Sequence, residues 1–247
     1  VSEASTVVEL AAGEAAVRAV ERLAFDQKPE AVRLRTAQGW GPLHPYDPRG
    51  LVFLRSLSSH RSAWQHVEVA EHPVYGRVLL LDGESQISTF DEATYSEALA
   101  WLDGPVPARA AVLGGGDCGV LRVLLAAGAT HVDMVELDPA VVEICERWFP
   151  GVVAGGPADP RTNLLHGDAL GWLTTGIGPY DRVIVDLSDE PPTGDPEWDQ
   201  TLARVAAALS PGGAVTVQCG GATAPFRVNR TRILAALGRH FARVEQQ

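Results

Sequence analysis

The sequence predicts an α/β protein: a parallel sheet covered by helices on both faces, preceded by a small β-rich unit and, before that, a helix. Three observations predict it. Beyond Pro107, strand-like apolar runs alternate with segments of helical period, which is the signature of repeated βα units. Between Gln65 and Ser88, short runs alternate apolar with polar residues and are parted by turn formers. The 247 residues, 46% apolar and 21% charged, hold a main domain and an appendage and can bury a real core.

From Thr6 to Phe25 the residues Val7, Val8, Leu10, Ala11, Ala15, Val17, Val20 and Leu23 recur at roughly helical spacing, so an amphipathic helix is expected. Trp40-Gly41-Pro42 and Pro45-Tyr46-Asp47-Pro48 are dense in turn formers, which makes residues 1–50 a helix followed by an irregular segment. Residues 51–105 form the small β unit. In it Gln65 to Val69 and Arg77 to Leu81 make a hairpin, Asp82-Gly83 turns into a third strand at Ser85 to Ser88, and Asp91 stands near the cap of a helix reaching Leu102. Residues 106–247 supply strands at Ala110 to Leu113, His131 to Glu136, Asn163 to Gly167, Arg182 to Asp186 and Ala214 to Gln218. Helices are expected between and after them at Gly119 to Ala127, Pro139 to Phe149, Ala169 to Leu173, Glu197 to Leu209 and Phe226 to Phe241. After Phe241 there is room for one more short strand.

Twenty lysines and arginines face 31 aspartates and glutamates, a formal charge of −11. That argues against nucleic acid or an anionic membrane as the main partner, since phosphate binding needs clustered basic groups. A small cationic molecule suits the balance. Cys118, Cys145 and Cys219 are too widely spaced for a disulfide framework or a zinc pattern, and the seven histidines form no i,i+4 pair, so no metal is expected. With no apolar run of spanning length and no signal-peptide pattern, a soluble protein of the reducing cytoplasm is expected.

Gly114-Gly115-Gly116-Asp117-Cys118-Gly119 lies between a predicted strand and a predicted helix and fits G-x-G-x-x-G. Glycines there let the backbone turn tightly and approach a ligand at the helix start. Glu136 ends the next strand, where an acid can accept hydrogen bonds from both ribose hydroxyls. A third strand ends in Gly167-Asp168 and a fourth in Asp186-Leu187-Ser188-Asp189. Any one such acid is more simply a helix cap. Successive acids at the strand ends of one parallel sheet point instead to a shared crevice. Asp117 inside the glycine loop would repel a pyrophosphate, which ranks a nicotinamide-dependent oxidoreductase low, whereas a positively charged nucleoside fits. S-adenosyl sulfonium compounds meet that description, with adenine toward Asp168, ribose on Glu136, and an amine or sulfonium near Asp117 and Asp186.

The stretch from Trp64 to about Gln218 resembles the spermidine synthase family of polyamine aminopropyltransferases. The resemblance is carried by Trp64-Gln65, Leu80-Leu81-Asp82-Gly83-Glu84-Ser85-Gln86, Asp91-Glu92-Ala93-Thr94-Tyr95-Ser96-Glu97, Gly114 to Arg122, Glu136-Leu137-Asp138, Asp159-Pro160-Arg161, Gly167-Asp168-Ala169, Asp186-Leu187-Ser188-Asp189 and Pro211-Gly212-Gly213. It implies a small N-terminal β-domain before an S-adenosylmethionine-methyltransferase-like Rossmann domain. It also implies decarboxylated S-adenosylmethionine as aminopropyl donor, a small cationic amine as acceptor, and a homodimer or homotetramer. By the same resemblance Gln65, Gln86, Gly114, Gly115, Gly116, Asp117, Glu136, Leu137, Asp168, Ala169 and Asp186 serve the donor. Tyr95, Asp189 and Gln218 lie near the acceptor, with Asp186, Tyr95 and Asp189 expected to carry the chemistry.

Two departures from the family pattern stand out: Ser96, where the family has His or Gln, and Leu187, where it has Ser. They leave an S-adenosylmethionine-dependent methyltransferase of the same fold as a second reading. A non-catalytic binding or dimerisation module is a third. Cys118 reads as a small filler, Trp101, Trp148 and Trp172 as packing residues, and the arginines from Arg227 to Arg243 as the solvated face of the last helix.

Overall fold

The computed structural model describes residues 7–9, 33–36, 39–42, 55–72, 75–100, 104–175, 178–187, 195–219 and 227–245, with backbone alone at 7–9, 33–36, 39–42, 195–197 and 227–229. The chain divides into two compact units, Val1–Glu92 and Ala93–Gln247.

In the first unit, β1 (Val7–Glu9) pairs in parallel with β2 (Arg33–Thr36), which pairs antiparallel with β3 (Gly39–Pro42). Strand β1 occupies the start of the stretch where the sequence predicts a helix; residues 10–25 of that stretch lie outside the described residues. A four-stranded antiparallel meander follows in the order β4 (Arg55–Arg61), β5 (His66–His72), β6 (Gly76–Leu81) and β7 (Glu84–Ser88). The expected hairpin and third strand are β5 to β7. Their buried core is Val67, Val69, Ala70, Val78, Leu79, Leu80 and Ile87. Strand β4 was not expected, because Arg-Ser-Leu-Ser-Ser-His-Arg has no apolar alternation. It is an edge strand, five of its residues are exposed, and backbone pairing with β5 holds it.

The second unit is the α/β sheet. Its elements are α1 (Glu92–Ala100, the first residue still in unit one), β8 (Arg109–Gly114), α2 (Gly119–Ala127), β9 (His131–Glu136), α3 (Pro139–Trp148), α4 (Pro150–Val153), β10 (Thr162–His166), α5 (Ala169–Trp172), β11 (Tyr180–Asp186), α6 (Asp195–Ala208), β12 (Leu209–Val217) and α7 (Arg227–His240). The strands are parallel in the order β10-β9-β8-β11-β12. From β8 the chain moves one way to β9 and β10, then crosses back to β11 on the other side of β8. Right-handed crossovers therefore put α2 and α3 on one face and α5 and α6 on the other. The second face carries the main core, where Ala111, Leu113, Val135, Val183 and Val185 meet Trp198, Leu202, Val205, Ile233 and Ala236. Strand order reverses between β8 and β11, and a crevice opens at such a switch point above the strand ends.

Helix α1 packs on the first face, where Thr216 Oγ1 donates to Leu99 O at 2.7 Å and Arg182 Nη1 donates to Ala100 O at 2.8 Å. The Asp159-Pro160-Arg161 motif is an anchor for the end of α2. Arg161 is held by Asp159 and its Nη1 donates to the carbonyls of Leu125 and Ala129 at 2.9 and 3.2 Å. No helix among the described residues is long and apolar enough to cross a membrane.

Candidate functional site

The site is built at the switch point by the loop that leaves β8. Gly114 and Gly115 have φ of 82° and 73°, a region that side chains disfavour. Register pairs Gly114 with Asp186 of β11, so closely that a Cβ on Gly114 would stand 2.1 Å from the Asp186 carbonyl oxygen. The loop's glycines also make room for carboxylates. A Cβ on Gly115 would be 3.4 Å from Asp186 Oδ2, on Gly116 2.9 Å from Glu136 Oε2, and on Gly119 3.0 Å from Asp117 Oδ1. Three acids from three different segments thus surround one short turn.

Each acid is held. The Gly119 amide donates to Asp117 Oδ1 at 2.7 Å, and the Asp138 amide donates to Glu136 Oε1 at 2.9 Å. Asp117 and Glu136 are each only 9% exposed. Burial pushes the Glu136 carboxyl above its ordinary range, the Asp138 and Asp186 charges add to the rise, and the Asp138 and Gly116 amides oppose it. Such a cluster gains from an entering cation, which removes mutual repulsion. From α1, Tyr95 donates its hydroxyl to Asp186 Oδ1 at 2.5 Å.

Alternation along β11 and β12 sets what surrounds that pair. Ile184 is in register with Thr216, so Arg182, Ile184 and Asp186 share a face with Thr216. One alternation further, Gln218 falls beside Asp186, tied by its amide to Val185 O at 2.9 Å. Its side-chain Oε1 is buried and accepts no hydrogen bond among the described residues.

The other expected residues are placed differently. Asp168 is exposed and caps α5, its two oxygens accepting from the amides of Leu170 and Gly171 at 3.0 Å each. Ala169 is buried, whereas Leu137, next to Glu136, leaves 40% of its surface exposed, an apolar face offered at a strand end. Gln65 and Gln86 belong to the first unit. Gln65 closes a turn with Ser62 before β5, and Gln86 is exposed on β7. Asp189 and Trp101 lie outside the described residues. Ser96 is fully buried, and its Oγ stands 2.2 Å from where a Cβ of Gly119 would be. Close packing of α1 on α2 leaves a small side chain as the one that fits there. Among the described residues no group of three or more His, Cys, Asp and Glu could hold a metal.

Cys118 sits at the start of α2 but is no activated thiol. It is fully buried, and burial, followed by the charges of Asp117, Glu146 and Glu136, drives its pKa upward; burial does the same at Cys145. Iodoacetamide at pH 8 should therefore leave Cys118 and Cys145 unmodified in the folded protein and label both after denaturation, as read by peptide mass spectrometry.

Comparison with known proteins places this geometry. Residues 92–230 match the model of the spermine/spermidine synthase domain, a span that contains α1, the glycine loop and all three clustered acids. Spermidine synthase 2 of Datura stramonium is 39% identical over 195 residues, and spermidine synthase of Solanum lycopersicum 38% over 190. Each alignment covers 73% of this chain, and the chain spans 60% and 55% of those relatives. A spermidine synthase crystallised in complex with the transition-state analogue AdoDATO superposes with a TM-score of 0.69 at 23% identity, covering 76% of this chain and 65% of that one. The Thermotoga maritima spermidine synthase gives 0.67 at 22% over 76% and 64%. The glycine loop at the switch point, the acids around it and the domain match over residues 92–230 agree: the chain belongs to the spermine/spermidine synthase family.

Proposed function

We propose that this chain transfers an aminopropyl group from decarboxylated S-adenosylmethionine to a small amine. The observation that carries the reading is the Tyr95 to Asp186 contact at the switch point, set against a loop ringed by Asp117 and Glu136. The relatives named spermidine synthase, and the neighbour bound to a transition-state analogue, support the choice of aminopropyl transfer. In this reading Glu136 accepts the ribose hydroxyls, Leu137 lies against the adenine, Asp168 accepts from the adenine amine, and Asp117 pairs with the donor's ammonium. The buried Oε1 of Gln218 supplies an acceptor for the second substrate's N–H groups.

Attack at the sulfonium-bound carbon needs little help at the leaving group, because a neutral thioether departs. The nucleophile is the difficulty. An alkylammonium of pKa near ~10 must shed a proton, at a cost of about 4 kcal/mol at pH 7. Asp186 takes or relays that proton, while Tyr95, with Asp189, orients the nitrogen for in-line attack.

The test is transfer and binding together. Incubation with decarboxylated S-adenosylmethionine and putrescine should yield spermidine and methylthioadenosine by mass spectrometry. Calorimetry should show the decarboxylated donor binding at least about tenfold more tightly than S-adenosylmethionine, whose extra carboxylate faces Asp117. Tighter binding of S-adenosylmethionine, with a methylated amine as product, would replace the proposal with methyl transfer. Failure to bind either nucleoside would leave a binding module.

A further inference from the structure

We propose that Arg182 is a positioning residue for the Tyr95–Asp186 pair. The proposal rests on the reading of that pair as the reacting end of the site. Arg182 sits on β11, between β8 and β12, and is only 4% exposed. A guanidinium there is costly to bury unless its donors are used. Its Nη1 donates to the carbonyl of Ala100, the last residue of α1, and a Cβ on Gly104, just past that helix, would lie 3.6 Å from its Nη2. The helix C-terminus exposes unpaired carbonyls and a partial negative charge, so an arginine is a fitting cap. Thr216 of β12 takes the neighbouring carbonyl, Leu99 O, at 2.7 Å.

The same helix and the same strand meet a second time at Tyr95 and Asp186. From Tyr95 to Ala100 the helix rises about 7.5 Å, and from Arg182 to Asp186 the strand advances about 13 Å. The long arginine side chain makes up the difference. Arg182 and Asp186 lie on one face of β11 by alternation, so the helix is fastened to the strand at two points. Thr216, in register with Ile184, adds a third on the adjacent strand. With the lower fastenings released, α1 can slide or rotate, and the phenol of Tyr95 moves relative to Asp186. A displacement near 1 Å at reacting groups costs up to about a hundredfold in rate.

The experiment uses Arg182→Met, Arg182→Lys and Thr216→Val in the full chain. Steady-state kinetics and donor calorimetry are read beside the ring-13Cζ NMR signal of Tyr95, assigned by its loss in Tyr95→Phe. Arg182→Met should lower kcat at least about tenfold with donor affinity within about threefold, and should shift the Tyr95 signal. Arg182→Lys should recover part of both, and Thr216→Val should show a smaller loss of the same kind. An unmoved Tyr95 signal in folded Arg182→Met, or kcat and donor affinity falling by one factor, overturns the proposal. If Arg182→Met does not fold, Thr216→Val decides by the same criteria. If the wild-type chain transfers nothing, the functional reading fails, and the Tyr95 signal still decides the role of Arg182.

Discussion

Asp186→Asn should lower kcat by about two to three orders of magnitude while leaving donor affinity within about threefold. The asymmetry follows from geometry. Asparagine has the shape of aspartate, so the β8–β11 contact at Gly114 survives, and its Oδ1 can still accept from the Tyr95 hydroxyl. Basicity is lost. Without it the acceptor must lose its proton to solvent, and the barrier regains most of the roughly 4 kcal/mol that separates an ammonium from the free amine at pH 7. The remaining acids would not replace it, because clustered negative charge raises the ammonium pKa and serves binding before deprotonation. A second signature follows. The variant's rate should climb about tenfold per pH unit as the free-amine fraction grows, flattening near the acceptor's own pKa, whereas the parent enzyme should depend on pH far less. Equal losses in kcat and donor affinity, or a variant with the parent's pH dependence, would remove Asp186 from the proton-transfer step.

The elements around this site were legible because each leaves a local mark. Strand His131–Glu136 and helix Gly119–Ala127 fall where apolar run and helical period place them. Strand β12 runs from Leu209, which pairs with Tyr180, but its register shifts before Ala214 meets Arg182, so the turn-like Ser210-Pro211-Gly212-Gly213 is an irregularity at its start and continuous pairing begins at Ala214. The strand-end acids were legible as an array. What each one does was not. Asp168 and Glu136 look alike in sequence, yet one is an exposed cap and the other a buried acid whose second oxygen faces the glycine loop. Tyr95 with Asp186 and Arg182 with Ala100 join residues far apart in the chain, and no spacing rule reaches that distance. Their elements could be read, but their pairing depends on which face of the sheet α1 covers. The role of Asp133 is hidden in the sequence for a similar reason. In the run His-Val-Asp-Met-Val-Glu it is one polar residue in a buried strand, and apart from His131 its partners come from three other strands.

Asp133→Ala should be among the most destabilising single substitutions in the second unit, at about 3 to 5 kcal/mol, lowering Tm by about 10 °C or more. The carboxylate is 3% exposed. It accepts from Asn163 Nδ2 and the Tyr180 hydroxyl at 2.7 Å each, lies 3.0 Å from His131 Nε2, and takes a longer contact from Arg109 at 3.4 Å. Tyr180 is wholly buried, with the Arg109 guanidinium 5.0 Å above its ring. Truncation to alanine leaves a buried phenol, the Asn163 amide and a cation without their shared acceptor. Asp133→Asn, which keeps one acceptor oxygen, should cost less. Acid provides the check on mechanism. Burial alone would raise the Asp133 pKa, but the hydrogen bonds from Asn163, Tyr180 and His131 outweigh it and hold the pKa below its ordinary value. A folded-state pKa depressed below the unfolded one contributes stability that is full above the unfolded value, near ~3.9, and is lost as the pH falls through the folded one. Denaturant melts of parent and Asp133→Asn should therefore lie furthest apart near neutrality and converge at low pH. A constant gap across that range would mean that the asparagine variant loses packing and not the charge. Asp133 and Glu136 alternate to opposite faces of β9, so the folded Asp133→Asn protein should keep the parent's donor affinity, which separates a stability residue from one that serves the crevice.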